Sequence, residues 1–339
     1  MNILIIGSGA IGTFVGGVLT RAGNQVTFYD LPEVVEEIKT RGIIIEGLGN
    51  KITLKNPPAI SDLANNAEFD LVIIAVKAYC TRAVVEILKP DMARYFLSVQ
   101  NGIGNEEKIA AKVGGEKVIA GSITYPVAYP EPGYVKIENS KAGIGFAPFK
   151  KGIDISEVTS IFKEAKVNIL YTENYQSLKW SKLLLNLVCN ATCAILDMTP
   201  AEIFSDIRLV EIEKKQIVEA VDVMTALKLP VIDLPGYPTR LMAFVYKYFP
   251  TILLQLVLRN KIAKGRGNKK PSLLLALEKE ASWTEVKYLN GAVYLNGYDH
   301  ALTTRVNKII YETLKDITKK NIPWEDYKKN PEAFLNLFY

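Results

Sequence analysis

Lys182, Asn186 and Asn190 recur at four-residue intervals in the segment Leu178-Lys179-Trp180-Ser181-Lys182-Leu183-Leu184-Leu185-Asn186-Leu187-Val188-Cys189-Asn190. On an α-helix that spacing places all three side chains on one face. The neighbours are leucine, valine and cysteine, so a lysine there is expected to be partly desolvated, its pKa lowered from about 10.4 toward neutrality. Such an ammonium can donate a proton to a developing alkoxide, and two carboxamides can orient a hydroxyl or carbonyl oxygen. An ordinary solvated stripe would carry mixed charges instead. Downstream, Lys270-Pro271-Ser272 and Thr284-Glu285-Val286 each resemble a helix start. Ser272 and Thr284 are plausible caps, whereas Glu285 could equally partner an ammonium or a substrate hydroxyl.

A proton donor needs a second reactant, and the first thirty residues point to one. Ile3 to Ile6 run into Gly7-Ser8-Gly9-Ala10-Ile11-Gly12, and Asp30 follows eighteen residues after Gly12. The order is strand, glycine turn, helix, strand, acid. Gly7 permits the tight turn, Gly9 lacks the Cβ that would block a pyrophosphate, and Gly12 lets the helix lie close on the strand. The first helical N–H groups from Ala10 onward point at the anion. Asp30 is placed to accept hydrogen bonds from ribose hydroxyls. The sequence therefore predicts a bound nicotinamide dinucleotide, NADPH or NADH. Because the first strand begins at residue 2, no targeting peptide is expected.

Ligands of open α/β sheets lie beyond the carboxyl ends of the strands. The third strand empties into Lys77-Ala78-Tyr79 and the fourth into Gln100-Asn101-Gly102-Ile103-Gly104. Lys77 offers a cation and Asn101 an amide close to the expected nicotinamide. Each alone could be a surface lysine or a turn asparagine.

The remaining pattern shows what must position these groups. Candidate strands are 2–6, 25–29, 70–75, 95–99, 117–120, 134–137, 143–146 and 167–171, and the stretch 122–149 suggests hairpins added to a parallel core. Helices are expected at 174–195, 200–227, two near 236–262, then 272–281, 283–297 and 303–320. The expected fold is an α/β Rossmann-type doubly wound N-terminal domain, residues 1–172, followed by an all-α C-terminal domain, residues 173–339, for substrate and dimerisation.

Composition narrows the function classes. The chain has 339 residues and a formal net charge of +5, much of it in the patches 259–270 and 315–329, without the aromatic interleaving of a single-strand binder. Nucleic acid is not expected as a partner. Three cysteines without a CxxC pair argue against a disulfide framework and for a reducing, cytoplasmic setting. No cluster has metal-ligand spacing, so no metal is expected. His300 is the only histidine, which leaves the acid role to another residue type. Residues 241–258 approach spanning length, but Lys247, Pro250 and Gln255 interrupt them; buried helices or a subunit contact are expected rather than a membrane.

Taken in order, GSGAIG at 7–12, Val76-Lys77-Ala78-Tyr79, Val99-Gln100-Asn101-Gly102, Trp180-Ser181-Lys182 with Asn186 and Asn190, Pro271-Ser272-Leu273, Thr284-Glu285 and Leu289-Asn290-Gly291 make the chain resemble the ketopantoate reductase family over essentially its full length. The resemblance implies reduction of a 2-keto acid, 2-dehydropantoate, by a nicotinamide cofactor. It implies Lys182 as general acid and Glu285 as support for the substrate hydroxyl. Asn101, Asn186, Asn190 and Ser272 would contact substrate, with Lys77 beside cofactor and substrate. Family members are typically cytoplasmic and often dimeric, which implies a homodimer. Two features depart from the pattern. Phe28-Tyr29-Asp30-Leu31-Pro32 has an acid and no arginine after the second strand, so NADH is expected over NADPH. Leu275-Ala276 replaces a usual glutamine-aspartate pair, Lys287 stands where an acid is usual, one extra residue separates Ser272 from Glu285, and the insert 236–270 is long and apolar. A different 2-keto acid on the same scaffold, or a cofactor-binding redox sensor without turnover, are the competing expectations.

Overall fold

The apolar run that opens the chain forms strand β1 (Asn2–Ile6), and its side chains divide by parity between two cores. Ile3 and Ile5 pack with Phe14, Val18 and Phe28, whereas Leu4 and Ile6 pack with Val72, Ile74, Phe96 and Ile109. The pleat imposes that alternation, and a strand covered on both faces reads as a continuous apolar run. The computed structural model describes residues 1–49, 51–63, 67–139, 141–265 and 270–339, with the side chains of 260–265 left out. Of the basic patch 259–270, residues 266–269 therefore lie outside the described residues, and nothing is described of the side chains of 260–265. By internal packing the chain divides into two units, Met1–Lys179 with Leu234–Tyr237, and Trp180–Asp233 with Pro238–Tyr339.

In the first unit the further strands are β2 (Gln25–Tyr29), β3 (Ile43–Glu46), β4 (Ile52–Leu54), β5 (Ala59–Ile60), β6 (Phe69–Ile74), β7 (Ala93–Ser98), β8 (Val118–Ile123), β9 (Val127–Glu131), β10 (Tyr134–Ile137), β11 (Ile144–Pro148) and β12 (Ile169–Tyr171). Its helices are α1 (Ala10–Arg21), α2 (Pro32–Arg41), α3 (Thr81–Ile87), α4 (Asn105–Val113) and α5 (Ser156–Glu164). Among the described residues eight strands form one sheet in the order β12-β11-β8-β7-β6-β1-β2-β5. Its pairs are parallel except for β8 with β11. Strand order reverses at β1, and Ile6 stands opposite both Tyr29 and Ile74, while Ile74 stands opposite Ser98. The carboxyl ends of β1, β2, β6 and β7 are therefore level, at the edge of the sheet where open α/β folds take their ligands.

The second unit is helical: α7 (Ala191–Leu196), α8 (Pro200–Ile203), α9 (Ile207–Ala226), α10 (Thr239–Tyr248), α11 (Thr251–Gly265), α12 (Ser272–Glu278), α13 (Asn290–Asp299), α14 (Arg305–Thr318) and α15 (Pro331–Leu335). Helix α6 (Tyr175–Leu187) contains the division, which falls after Lys179. No helix among the described residues is long and apolar enough to cross a membrane. The apolar run 241–258 is broken at Phe249-Pro250, where α10 ends and α11 begins.

Several expected elements are redrawn. The strands β3, β4, β5 and β9 are not among the expected ones, β4 and β5 being only three and two residues long; β9 and β10 do form a hairpin in the stretch 122–149, but it joins β3 and β4 in a separate four-stranded sheet. The expected helix 174–195 stops at Leu187 and resumes at Ala191, because Cys189 takes a left-handed conformation with φ 52°. The expected helix 200–227 breaks at Phe204–Asp206, where the Asp206 carboxylate accepts the Arg208 N–H and restarts the helix as α9. The expected helix 283–297 opens as a 3-10 turn at Glu285–Tyr288 before α13.

The tightest backbone approach in the first unit is between α1 and the turn after β1. A Cβ added to Gly12 would lie 1.8 Å from the Gly7 carbonyl oxygen. Gly12→Ala is therefore expected to push α1 off the sheet and lower stability by about 1–3 kcal/mol or more, read as a lower midpoint in urea unfolding; an unchanged midpoint would contradict the packing described.

Candidate functional site

The first unit carries a prebuilt glycine turn. Gly7 has φ +95°, a conformation that excludes side chains, and its N–H donates to the Tyr29 carbonyl at 3.0 Å. The Ser8 peptide is clamped on both sides. Its N–H donates to Asp30 Oδ2, and its carbonyl accepts from the Thr13 hydroxyl at 2.7 Å and the Tyr129 hydroxyl at 3.0 Å. Burial pushes the Tyr129 phenol pKa up, so it stays a neutral donor. The second carboxylate oxygen of Asp30 accepts the Leu31 N–H at 2.8 Å.

This turn fits a dinucleotide. Gly9 is exposed, and a Cβ added to it would meet nothing within 4 Å, so the space in front of it is open to a ligand. The Ser8 hydroxyl is buried without a hydrogen-bond partner among the described residues. Ala10, Ile11 and Gly12 form the first turn of α1, whose N–H groups have no intrahelical partner and a positive dipole end behind them. A pyrophosphate would be held by these amides, and the ribose hydroxyls by the remaining lone pairs of Asp30.

The two neighbouring strand ends are wired together. Lys77 is exposed, one residue beyond Val76, and Asn101 is half-buried just after Gln100. Gln100 Nε2 donates to the Val76 carbonyl at 3.1 Å and to Thr81 Oγ1 at 2.8 Å. Thr81 Oγ1 in turn lies 2.8 Å from Asn105 Oδ1, and Asn105 Nδ2 donates to the Asn101 carbonyl at 3.0 Å. The loops holding Lys77 and Asn101 thus share one buried polar net.

Beneath that net lies an ion pair that sequence reasoning passes over. Lys179 and Glu106 are 5% and 1% exposed, with Nζ 2.8 Å from Oε1. A signal for it exists: Lys179 sits between two large apolar residues, Leu178 and Trp180, both of them buried. A lysine in that position calls for a buried acceptor elsewhere in the chain.

In the second unit Lys182 and Asn186 lie one turn apart on α6, both half-buried among the buried Leu183, Leu184, Leu185 and Leu187. Asn190 does not continue their stripe. It lies beyond the break at Cys189, and the break has a cause: the fully buried Glu213 carboxylate accepts the Cys189 N–H at 2.8 Å and the Thr192 hydroxyl. Asn190 Oδ1 accepts instead from the Leu273 N–H at 3.2 Å and lies 3.5 Å from Ser272 Oγ. Asn190 and Ser272 are brought together by that bond. Neither Ser272 nor Thr284 makes a side-chain cap, so the capping expectation fails for both.

Glu285 is 5% exposed and opens the 3-10 turn that leads into α13. The turn is anchored just downstream, where Asn290 Nδ2 donates to Gln216 Oε1 and Asn307 Oδ1, both at 3.0 Å. Asn307 Nδ2 donates to Glu219 Oε2 at 2.7 Å, and Glu219 also accepts the Val306 and Asn307 N–H groups. Burial pushes the Glu219 carboxyl pKa up despite those donors.

The sequence matches the family model described as ketopantoate reductase PanE/ApbA over residues 3–151, and that of the family's C-terminal part over residues 174–318. A 2-dehydropantoate 2-reductase of Pyrococcus horikoshii is 38% identical over 202 residues, 58% of this chain and 65% of that protein. The first curated relatives, from two Pyrococcus species, are thus spanned over 65% of their length. A 2-dehydropantoate 2-reductase of Archaeoglobus fulgidus is 24% identical over 320 residues, covering 93% of this chain and 97% of the relative. Two solved structures share the fold at 22% identity. A ketopantoate reductase from Ralstonia eutropha has a TM-score of 0.78 over 94% of this chain and 99% of its own. A D-mandelate dehydrogenase with NADH and anilino(oxo)acetate has a TM-score of 0.77 over 95% and 100%.

Because Asn190 supplies the acceptor for the buried Leu273 N–H, Asn190→Ala is expected to destabilise by about 1–3 kcal/mol. Denaturant unfolding checks this, and a variant as stable as the parent would remove Asn190 from that role.

Proposed function

The chain belongs to the ketopantoate reductase family, and we propose that it reduces 2-dehydropantoate to pantoate, a step of pantothenate and coenzyme A biosynthesis, in a cytoplasmic setting favoured by its cysteine usage. The observation that carries this reading is the pair Lys182 and Asn186, one helical turn apart and half-buried among leucines. When bound, the reduced nicotinamide supplies a hydride to the keto carbon. Lys182 Nζ gives its proton to the oxygen as negative charge develops there, which requires the lysine to start as the ammonium. Asn186 orients the same oxygen, and Asn101 holds the substrate from the strand-end loop. Asn190 and Ser272, already bonded, contact the substrate together, Glu285 accepts from its hydroxyl, and Lys77 stands beside cofactor and substrate. Asp30 supports NADH as the preferred cofactor, because a carboxylate in that position repels the 2′-phosphate of NADPH.

A different 2-keto acid is the second reading. Leu275 is 42% exposed on α12 and Ala276 follows it, where the family pattern has polar residues, so the pocket wall is more apolar than the pattern requires. A homodimer completes the proposal. Leu241, Phe244, Tyr248, Ile252, Leu256 and Val257 leave α10 and α11 with an exposed apolar face of the kind a subunit contact covers.

Loss of reduced-cofactor absorbance with 2-dehydropantoate and a panel of 2-keto acids tests the reaction. Turnover is expected with higher kcat/KM for NADH than NADPH, and Lys182→Ala is expected to lower kcat by roughly 10²- to 10⁴-fold while dinucleotide Kd stays unchanged. Turnover unaffected in Lys182→Ala would reject the acid assignment, and a preference for NADPH would reject the reading of Asp30. For assembly, light scattering is expected to return twice the chain mass, falling to one in Leu256→Asp; a parent protein at single-chain mass would remove the dimer.

A further inference from the structure

Lys179 is three residues from Lys182 on the same helix, yet its ammonium is spent on something other than proton transfer. Nζ donates to the Gln100 carbonyl at 2.5 Å and the Gly121 carbonyl at 3.3 Å, and lies 2.8 Å from Glu106 Oε1. The two carbonyls accept hydrogen bonds from the ammonium, and the Glu106 carboxylate stands beside it at ion-pair distance. Glu106 lies in the first turn of α4, where the helix dipole favours a carboxylate. A buried ion pair is an expensive way to gain stability, since apolar residues of similar volume often do as well; what it adds is a directional hold on the groups it touches. Here those groups are the Gln100 carbonyl in the turn after β7, the Gly121 carbonyl in β8 and the Glu106 carboxylate at the start of α4. The first of these carbonyls is that of Gln100, whose own side chain ties down Val76 and Thr81, and the next residue is Asn101.

The geometry points to Lys179 and Glu106 as positioning residues for the reaction: the pair fixes the Gln100–Asn101 turn, and with it the place of the Asn101 carboxamide and, through Gln100 and Val76, the root of the Lys77 loop. This rests on the reading of Asn101 as a substrate contact. The ammonium of Lys179 is buried against protein groups, so its part in the proposal is positional. Its effect is to keep the strand-end loops from relaxing when substrate pulls on them.

Three proteins test it: the parent, Lys179→Met, and the double variant Lys179→Met with Glu106→Leu. Lys179→Met leaves a buried carboxylate without its partner, so its unfolding midpoint is expected to fall. The double variant removes both charges and is expected to recover most of that stability. In both, kcat/KM for the keto acid is expected to fall about 10- to 100-fold, the scale of a misplaced contact group. Backbone hydrogen exchange over residues 99–105 is expected to quicken in both. A double variant with parental stability, parental kinetics and parental exchange would overturn the proposal and leave the pair a structural device only. Should the parent turn over no keto acid, the functional reading falls by itself, and the exchange rates over 99–105 decide the positioning role: faster exchange in the double variant supports it and unchanged exchange overturns it.

Discussion

The first unit is organised by the contact between α1 and the turn that precedes it. With Gly12 lying against the Gly7 carbonyl, the helix amino terminus is brought down onto the end of β1. That approach leaves the Ser8 peptide enclosed between Asp30 on one side and Thr13 and Tyr129 on the other. The turn is therefore held by the chain's own hydrogen bonds, and a ligand bound there would not bear the entropy of ordering it. Tyr129 comes from the smaller sheet, so the hairpin β9–β10 has a task in the glycine turn as well as in its own packing.

The helical unit achieves comparable order by a different route. It has few glycines at its turning points and uses buried polar side chains as brackets. Glu213 stops α6 and starts α7; Asn190 holds the start of α12; Gln216, Asn290, Asn307 and Glu219 lock α9, α13 and α14 in one net. Each bracket satisfies a backbone or side-chain donor that would otherwise be buried unpaired, which makes the net unforgiving of single substitutions and specific about geometry.

The division between what is legible in the sequence and what is not follows from the range of the interactions. β1, β2 and β10 can be read residue for residue, because a buried strand writes its pattern in adjacent positions. The glycine turn and Asp30 are readable for the same reason: turn, helix and acid succeed one another at fixed local spacing. The stripe Lys182, Asn186, Asn190 presumes an unbroken helix, and the break at Cys189 depends on Glu213, far along the chain and invisible to periodicity. Lys179 with Glu106, and Asn190 with Ser272 and Leu273, are likewise long-range pairs. Short strands such as β4 and β5 carry too few residues to show an alternation, and β5 comes after Pro57-Pro58, which reads as loop.

Asp30 illustrates how a shared residue constrains evolutionary change. Its carboxylate holds the Ser8 and Leu31 amides while leaving acceptor capacity for a ribose. A lineage moving toward a phosphorylated cofactor would need to discard the negative charge, and the same step would unfasten the glycine turn that the carboxylate holds. The two properties are linked in one side chain, so a substitution there disturbs the turn as well as the charge. A compensating acceptor for the Ser8 amide has to appear before or with the change. The geometry of the glycine turn and the charge at its ribose end are thereby coupled through one carboxylate.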